Sequence, residues 1–215
     1  LVCVGNIDPV PEVCDGLDND CDGTPDVPAC LAVGANDVRL DNTTANSIQL
    51  DMHARGNRIH AVWLDTSSGD ANILHNCSAD GGANWRTNWG VATGGADQVK
   101  PRVLMDPSAS GPVYIAYEQF QGNNRRVYIL TNDACDDSFN TAARLDVDDG
   151  SDSLNIDLAA DGAGRVAVVW EDFDEGTTID DSARNVWLSV STDNGVNWST
   201  AVRVNADLDP TESLA

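Results

Sequence analysis

Apolar and polar residues alternate in short runs along most of the chain, and no segment keeps a helical period. In one stretch the alternation predicts four strands, at roughly 48–54, 58–65, 71–78 and 86–92, separated by turns rich in Gly, Asp and Asn. The same pattern then returns twice. "RIHAVWLD" from Arg58 recurs as "PVYIAYEQ" from Pro112 and as "RVAVVWED" from Arg165, which places Trp63, Tyr117 and Trp170 54 and 53 residues apart. Downstream, "ANILHNCSADGGANW" recurs as "NVWLSVSTDNGVNW", with a degenerate copy, "VYILTNDACDDSFN", between them. Each repeat closes on a strand such as "AARLDV" or "AVRVNA".

A repeat of roughly 50 residues holding four strands is the signature of a β-propeller blade. The expected blades are about 47–97, 98–150 and 151–205. The turn after the third strand carries a motif: Ser78, Asp80, Gly82 and Trp85 fit S-x-D-x-G-x-x-W, as do Ser191, Asp193, Gly195 and Trp198. Asp accepts N–H groups within such a turn, Gly allows positive φ, and Trp covers the hairpin. The middle copy keeps Asp136 but has Ala134 for Ser and Ser138 for Gly. The motif resembles the Asp box of sialidase-like (BNR-repeat) propellers, which implies a fold marker without chemistry of its own. Three blades cannot close a ring. "DVRLD" near Asp37 resembles the last strand of an earlier blade, and the final "ESLA" the opening of a next one. Further blades of a longer chain, or self-association in which two copies give six blades, are therefore expected.

The first thirty residues follow another pattern. Asp18, Asp20, Asp22 and Gly23 match D-x-D-x-D-G, the first half of a calcium loop, in which alternate carboxylates converge on one hard cation. A complete EF-hand needs Glu six residues after the Gly, where this chain has Ala29; Asp15 and Asp26 are the candidates for the missing oxygens. So short a loop needs staples. Cys14–Cys21 with Cys3–Cys30 is the first choice among three pairings that spacing cannot separate. "PEVCDGLDNDCDGTPD" also resembles the Cys/Asp metal-binding motif named for MopE, a surface protein of methane-oxidising bacteria, and is similar to thrombospondin type 3 repeats. That resemblance implies an extracellular calcium module. The expected division is a calcium module over 1–33 and a partial propeller over 34–215.

Charge narrows the partners. The chain has 12 basic and 35 acidic residues, a formal charge of −23, and Lys100 is its single lysine. Such a chain repels phosphate backbones and anionic lipid, so nucleic acid is excluded, and no apolar run is long enough for membrane insertion. The thirty Asp against five Glu favour divalent-cation binding over mere solubility. The six cysteines form no C-x-x-C pair and point to disulfides in an oxidising compartment. Cys77 and Cys135, near equivalent ends of third strands in adjacent blades, are expected to pair. With no initiator Met and no signal peptide, the chain reads as a processed bacterial secreted or cell-surface product, or a fragment of one.

Two kinds of residue bear on chemistry. Sialidases need an arginine cluster, a Tyr/Glu pair, an Asp acid and an early R-I-P motif, which "KPRVLMD" lacks. Arg39, Arg144 and Arg203 occupy equivalent repeat positions, and Tyr114, Tyr117 and Glu118 read as blade packing. The three histidines all lie in one blade. A Gly56-Asn57 turn would set His53 opposite His60, close enough to share a metal. His75 would join them if it paired with His60, and not if it paired with Ala61. The MopE resemblance implies copper-binding relatives, but their site uses a W-x-H context that is absent here. The expectation is a non-catalytic, calcium-binding structural, adhesion or surface-assembly protein whose partner is a carbohydrate or another surface protein. The alternatives are a copper-binding surface protein and a sialidase-like, carbohydrate-binding or glycoside-hydrolysing propeller.

Overall fold

The computed structural model describes residues 38–132, 134–136, 138–147, 150–173 and 184–205. The Cys/Asp segment, with Asp15, Asp18, Asp20, Asp22 and Asp26 and the four cysteines around them, lies outside the described residues. The chain divides after Leu40, and the unit Asp41–Ala215 holds all the described strands.

Those strands form three four-stranded antiparallel sheets, each in simple sequential order. The first contains β1 (Ser47–Arg55), β2 (Arg58–Asp65), β3 (Asn72–Ser78) and β4 (Trp89–Ala92). The second contains β5 (Gln98–Met105), β6 (Val113–Gln121), β7 (Asn124–Asn132) and β8 (Ala143–Arg144). The third contains β9 (Ser153–Ala160), β10 (Val166–Phe173), β11 (Arg184–Ser191) and β12 (Val202–Arg203). This is the all-β arc of three propeller blades that the repeat predicts. Among the described residues no helix is long and apolar enough to cross a membrane.

Apolar alternation places the core between blades. Val62, Leu64 and Ile73 of the first blade pack on Val103, Ile115, Tyr117 and Leu130 of the second. Tyr114, Val127 and Ile129 of the second pack on Ile156, Val168 and Trp170 of the third. Trp170 is 1% exposed, and truncating it to Ala removes a buried aromatic worth about 3–5 kcal/mol. At the two ends of the described arc, apolar side chains stay in water: Leu50 and Met52 on β1, and Val186, Val202 and Val204 on the third blade.

The first strand of each blade carries a bulge at one equivalent place. Residues 49–50 oppose the single Trp63, residues 100–101 oppose Tyr117, and residues 155–156 oppose Trp170. Gln49, Lys100 and Asn155 adopt φ of 53°, 51° and 58° there, a left-handed conformation that non-glycine residues seldom take. The aromatic position that marks the repeat in the sequence therefore also marks the bulge.

Open strand edges between blades are capped by side chains. Gln49 Oε1 accepts the N–H of Lys100 (2.6 Å), Asp51 Oδ2 that of Val103 (2.9 Å), and His53 Nδ1 that of Met105 (3.3 Å). Alternate residues of β1 thus satisfy the free edge of β5, which would otherwise present unpaired donors.

Candidate functional site

The two complete S-x-D-x-G motifs form the same hydrogen-bonded turn. Ser78 Oγ donates to Asp80 Oδ1 at 2.8 Å and accepts from Gly82 N at 2.9 Å. Ser191 does the same with Asp193 and Gly195 at the same distances. The side-chain amides of Asn84 and Asn197 each donate to the Asp carboxylate at 2.7 Å. The Asn84 side chain and backbone hold Asp80 down to about 2, and the Asn197 backbone and side chain hold Asp193 down to about 2. Trp198 Nε1 donates to Gly195 O, while Trp85 Nε1 lies close to Gly82 in the first turn. In the degenerate copy Asn132 stands in for the missing serine: its Oδ1 accepts Ala134 N and its Nδ2 donates to Asp136. These turns use up their polar atoms internally, so they build the blade and leave little for a ligand.

Polar chemistry collects instead at the bulges. Lys100 Nζ donates to Asn155 Oδ1 at 2.9 Å and lies 3.5 Å from Glu118 Oε1. Glu118 Oε1 accepts Asn155 N at 2.8 Å, and its Oε2 accepts Arg125 Nη1 at 2.9 Å. Asn155 Nδ2 donates to Glu171 Oε2 at 3.0 Å, and Arg184 Nη1 donates to the same oxygen at 2.7 Å. Two glutamates from equivalent positions of adjacent blades are therefore held by one residue, Asn155, which sits on the bulge. The first blade has Leu64 at that position, so the blade itself does not require an acid there. The Glu118 side chain is 0% exposed, whereas that of Glu171 is 35% and that of Lys100 37% exposed. The hydrogen bonds from Arg184 and Asn155 lower the pKa of Glu171 and keep it ionised.

The sequence reading of Tyr114, Tyr117 and Glu118 as packing fits the two tyrosines, which are 0% and 3% exposed. Burial, with Tyr128 stacked beside it, raises the Tyr117 hydroxyl. Glu118 departs from that reading, because a buried carboxylate with three partners is an organising centre. The signal for it in the sequence is that Glu recurs at 118 and 171, where the first blade has an apolar residue. On the opposite face of the second blade, toward the first, a pocket of about 360 Å³ is lined by Thr93, Gln98, Tyr117, Gln119, Asn140 and Thr141.

The histidines divide. The Gly56-Asn57 turn forms with Gly56 at φ +57°, and His53 pairs with His60 as expected. His75 pairs with neither His60 nor Ala61 but with Val62, two residues along, which still leaves it on the His60 face. His60 Nδ1 lies 2.9 Å from His75 Nε2, and the rings stack at 5.1 Å. His53 turns to its edge-capping role at Met105. Cys77, opposite His60, joins the pair instead: ligand atoms of His60, His75 and Cys77 all lie within 4.8 Å of one another. Cys77 is bonded to Cys135, with Cα atoms 5.8 Å apart, which is the disulfide the repeat geometry predicted.

No family model matches the chain, and no curated protein matches it. Among solved structures it is similar to an α-L-arabinofuranosidase from Fusarium graminearum in complex with an iminosugar inhibitor. The TM-score is 0.50 at 12% identity, over 74% of this chain and 50% of that one. It is likewise similar to the GH93 α-L-arabinofuranosidase of Fusarium graminearum with arabinobiose, with a TM-score of 0.50 at 12% identity, over 79% and 52%. The chain thus spans about half the length of the solved chains it matches. The likeness is one of fold, and it corrects the expectation of a non-catalytic calcium-binding structural protein that is no enzyme. The arc shares its fold with these glycoside hydrolases.

Proposed function

We propose that the chain is part of a carbohydrate-acting propeller of the glycoside hydrolase kind, with the polar row on the bulges turned toward the sugar. The observation that carries this reading is the joint anchoring of Glu118 and Glu171 by Asn155. Glycoside hydrolysis divides its work between carboxyl groups whose environments differ. Glu171, solvent-accessible and held ionised, suits the role of base, nucleophile or stabiliser of developing positive charge. Glu118, buried and tied to Lys100 and Arg125, suits positioning. The activity of a whole propeller is part of this proposal.

The test uses the full chain with arabinobiose and longer arabino-oligosaccharides, following binding by calorimetry and cleavage by chromatography. Glu171→Gln is expected to abolish cleavage while leaving the fold intact. If neither pentose nor hexose oligosaccharides bind, or if the variant cleaves like the wild type, the reading fails.

The Asp-box turns support placing the arc among sialidase-like propellers. A secreted or cell-surface location rests on the Cys77–Cys135 bond, which persists in oxidising compartments. Calcium in the loop of Asp15, Asp18, Asp20, Asp22 and Asp26 belongs to the same proposal, on spacing alone. Loss of calcium binding in Asp20→Ala is its check.

A further inference from the structure

We propose that His60, His75 and Cys77 form a metal site gated by the Cys77–Cys135 disulfide. With the bond closed, Cys77 is unavailable. Reduction frees its thiolate, and the three side chains then bind a divalent cation of the zinc class.

Three features of the first blade lead to this reading. The first is placement. His60 on β2 and His75 and Cys77 on β3 share one face of the first blade, because His60 pairs with Cys77 and Val62 with His75. All three are buried, at 0%, 2% and 1% exposure. The second is a facing pair of ring nitrogens. His60 Nδ1 lies 2.9 Å from His75 Nε2 in a buried setting, the arrangement in which one cation can replace one proton. His60 Nε2, buried with no partner among the described residues, keeps its N–H in both states. The third is that the fold does not need these side chains. The equivalent of His60 is Tyr114 in the second blade and Ala167 in the third.

The donor set fits the chemistry. Imidazole and thiolate are the ligands that zinc prefers, and three protein ligands leave a fourth position open. Two imidazole nitrogens on one tetrahedral zinc stand roughly 3.3 Å apart, given Zn–N bonds of about 2.0–2.1 Å. The present 2.9 Å separation therefore needs to open by only a few tenths of an ångström. The cation replaces the shared proton between the rings, and the remaining N–H groups sit on the far nitrogens.

The redox step balances. A dithiol reductant donates two electrons to the Cys77–Cys135 bond and leaves as its own disulfide, and both protein sulfurs become thiols. The cation then displaces the Cys77 proton to water. Cys135, released as the second thiol, comes from the β7–β8 connection, which also brings Phe139 edge-on to His75 at 5.1 Å. Arg86 Nη1 holds the carbonyl of Cys135 at 2.6 Å, so this connection keeps a tether to the first blade once the bond opens.

The experiment is a cobalt(II) titration of the full chain, read at the thiolate-to-cobalt charge-transfer band in the near ultraviolet. Carboxylate-bound cobalt in the acidic segment does not give this band. Wild type as isolated is expected to give no band. Cys135→Ser, which frees Cys77 without reductant, is expected to give it at one cobalt per chain, and zinc should displace it. Adding His60→Ala or His75→Ala should weaken cobalt by at least roughly tenfold, the scale lost when even a second-sphere partner is removed. Cys77→Ser/Cys135→Ser should give no band. If Cys135→Ser fails to fold by circular dichroism, the same titration is run on wild type reduced with a phosphine, against Cys77→Ser treated identically. A band absent from the freed thiol, or one of equal affinity without the two histidines, overturns the proposal.

Discussion

The carboxylate of Glu118 accepts the backbone N–H of Asn155 at 2.8 Å across the boundary between two blades. The donor belongs to a bulged strand edge that has no neighbouring strand, and the acceptor also holds Arg125 and lies beside Lys100. Glu118→Ala leaves the part-buried Asn155 N–H without its partner, Lys100 without its near carboxylate, and Arg125 with Asp152 alone. Because both cations reach water, the expected loss sits near the low end for a broken buried pair, about 3 kcal/mol. Glu118→Gln keeps an acceptor for Asn155 and should lose roughly half as much. Urea unfolding of the two variants checks both the size and the order of these losses.

The His60–His75 pair makes stability depend on pH. Burial, then repulsion from His75 and Arg58, lowers His60 from 6.5 to about 3, and burial lowers His75 to about 4. Both rings are thus neutral when folded and become charged when unfolded below pH 6.5. The unfolded state binds more protons in that window, so stability is full above it and falls as pH drops from about 6.5 toward 4. The slope is up to about 1.4 kcal/mol per pH unit for each ring. His60→Leu/His75→Leu should flatten this limb. Denaturant midpoints between pH 4 and 7 decide the matter, and an unchanged slope would refute the assignment.

The fold was legible because a blade advertises itself locally. Alternation gave the strands to within a few residues, the repeat gave their grouping, and Gly56-Asn57 gave the register that sets His53 opposite His60. What crosses between blades was not legible. Nothing in the period says that Asp51 caps Val103, or that His53 is consumed by Met105, since both depend on how one sheet's edge meets the next. The face of His75 was readable only as a parity, and a two-residue offset preserved it where a one-residue offset would have reversed it. The functional reading went astray for a similar reason. The motifs with the strongest spacing are turns that satisfy themselves, whereas the glutamates held by Asn155 are isolated letters in the sequence.

The Cys77–Cys135 bond closes a loop of 58 residues. In the chain-entropy account, such a cross-link contributes about 4 kcal/mol by restricting the unfolded state. Cys135→Ser is therefore expected to unfold at a markedly lower denaturant concentration while keeping its native circular dichroism. Arg86 would still hold the Cys135 carbonyl, so the local geometry has a second tether. An unchanged midpoint would mean that the bond adds nothing to the native fold.

The open ends of the arc lead to a prediction about association. On β1, past Gln49, Leu50 and Met52 are 78% and 59% exposed and point to the same side of the sheet, away from the second blade. In the second and third blades the corresponding strands, β5 and β9, are covered by the preceding blade, through contacts such as Asp51 to Val103 and Glu118 to Asn155. Among the described residues, the first blade offers the same surface without such a cover. Gln49 carries the same left-handed bulge, so the edge beside it is shaped to receive a capping side chain. At the other end Val186, Val202 and Val204 present a second apolar face. Contiguous apolar patches of this kind are uncommon on soluble monomers and favour burial against another sheet. The chain by itself is expected to associate reversibly as its concentration rises from micromolar to millimolar, by sedimentation velocity. Leu50→Lys/Met52→Lys charges the centre of the first face while touching no core residue, and should shift the distribution toward monomer without changing thermal unfolding. A wild-type chain that stays monomeric across that range would show that these faces are tolerated in water.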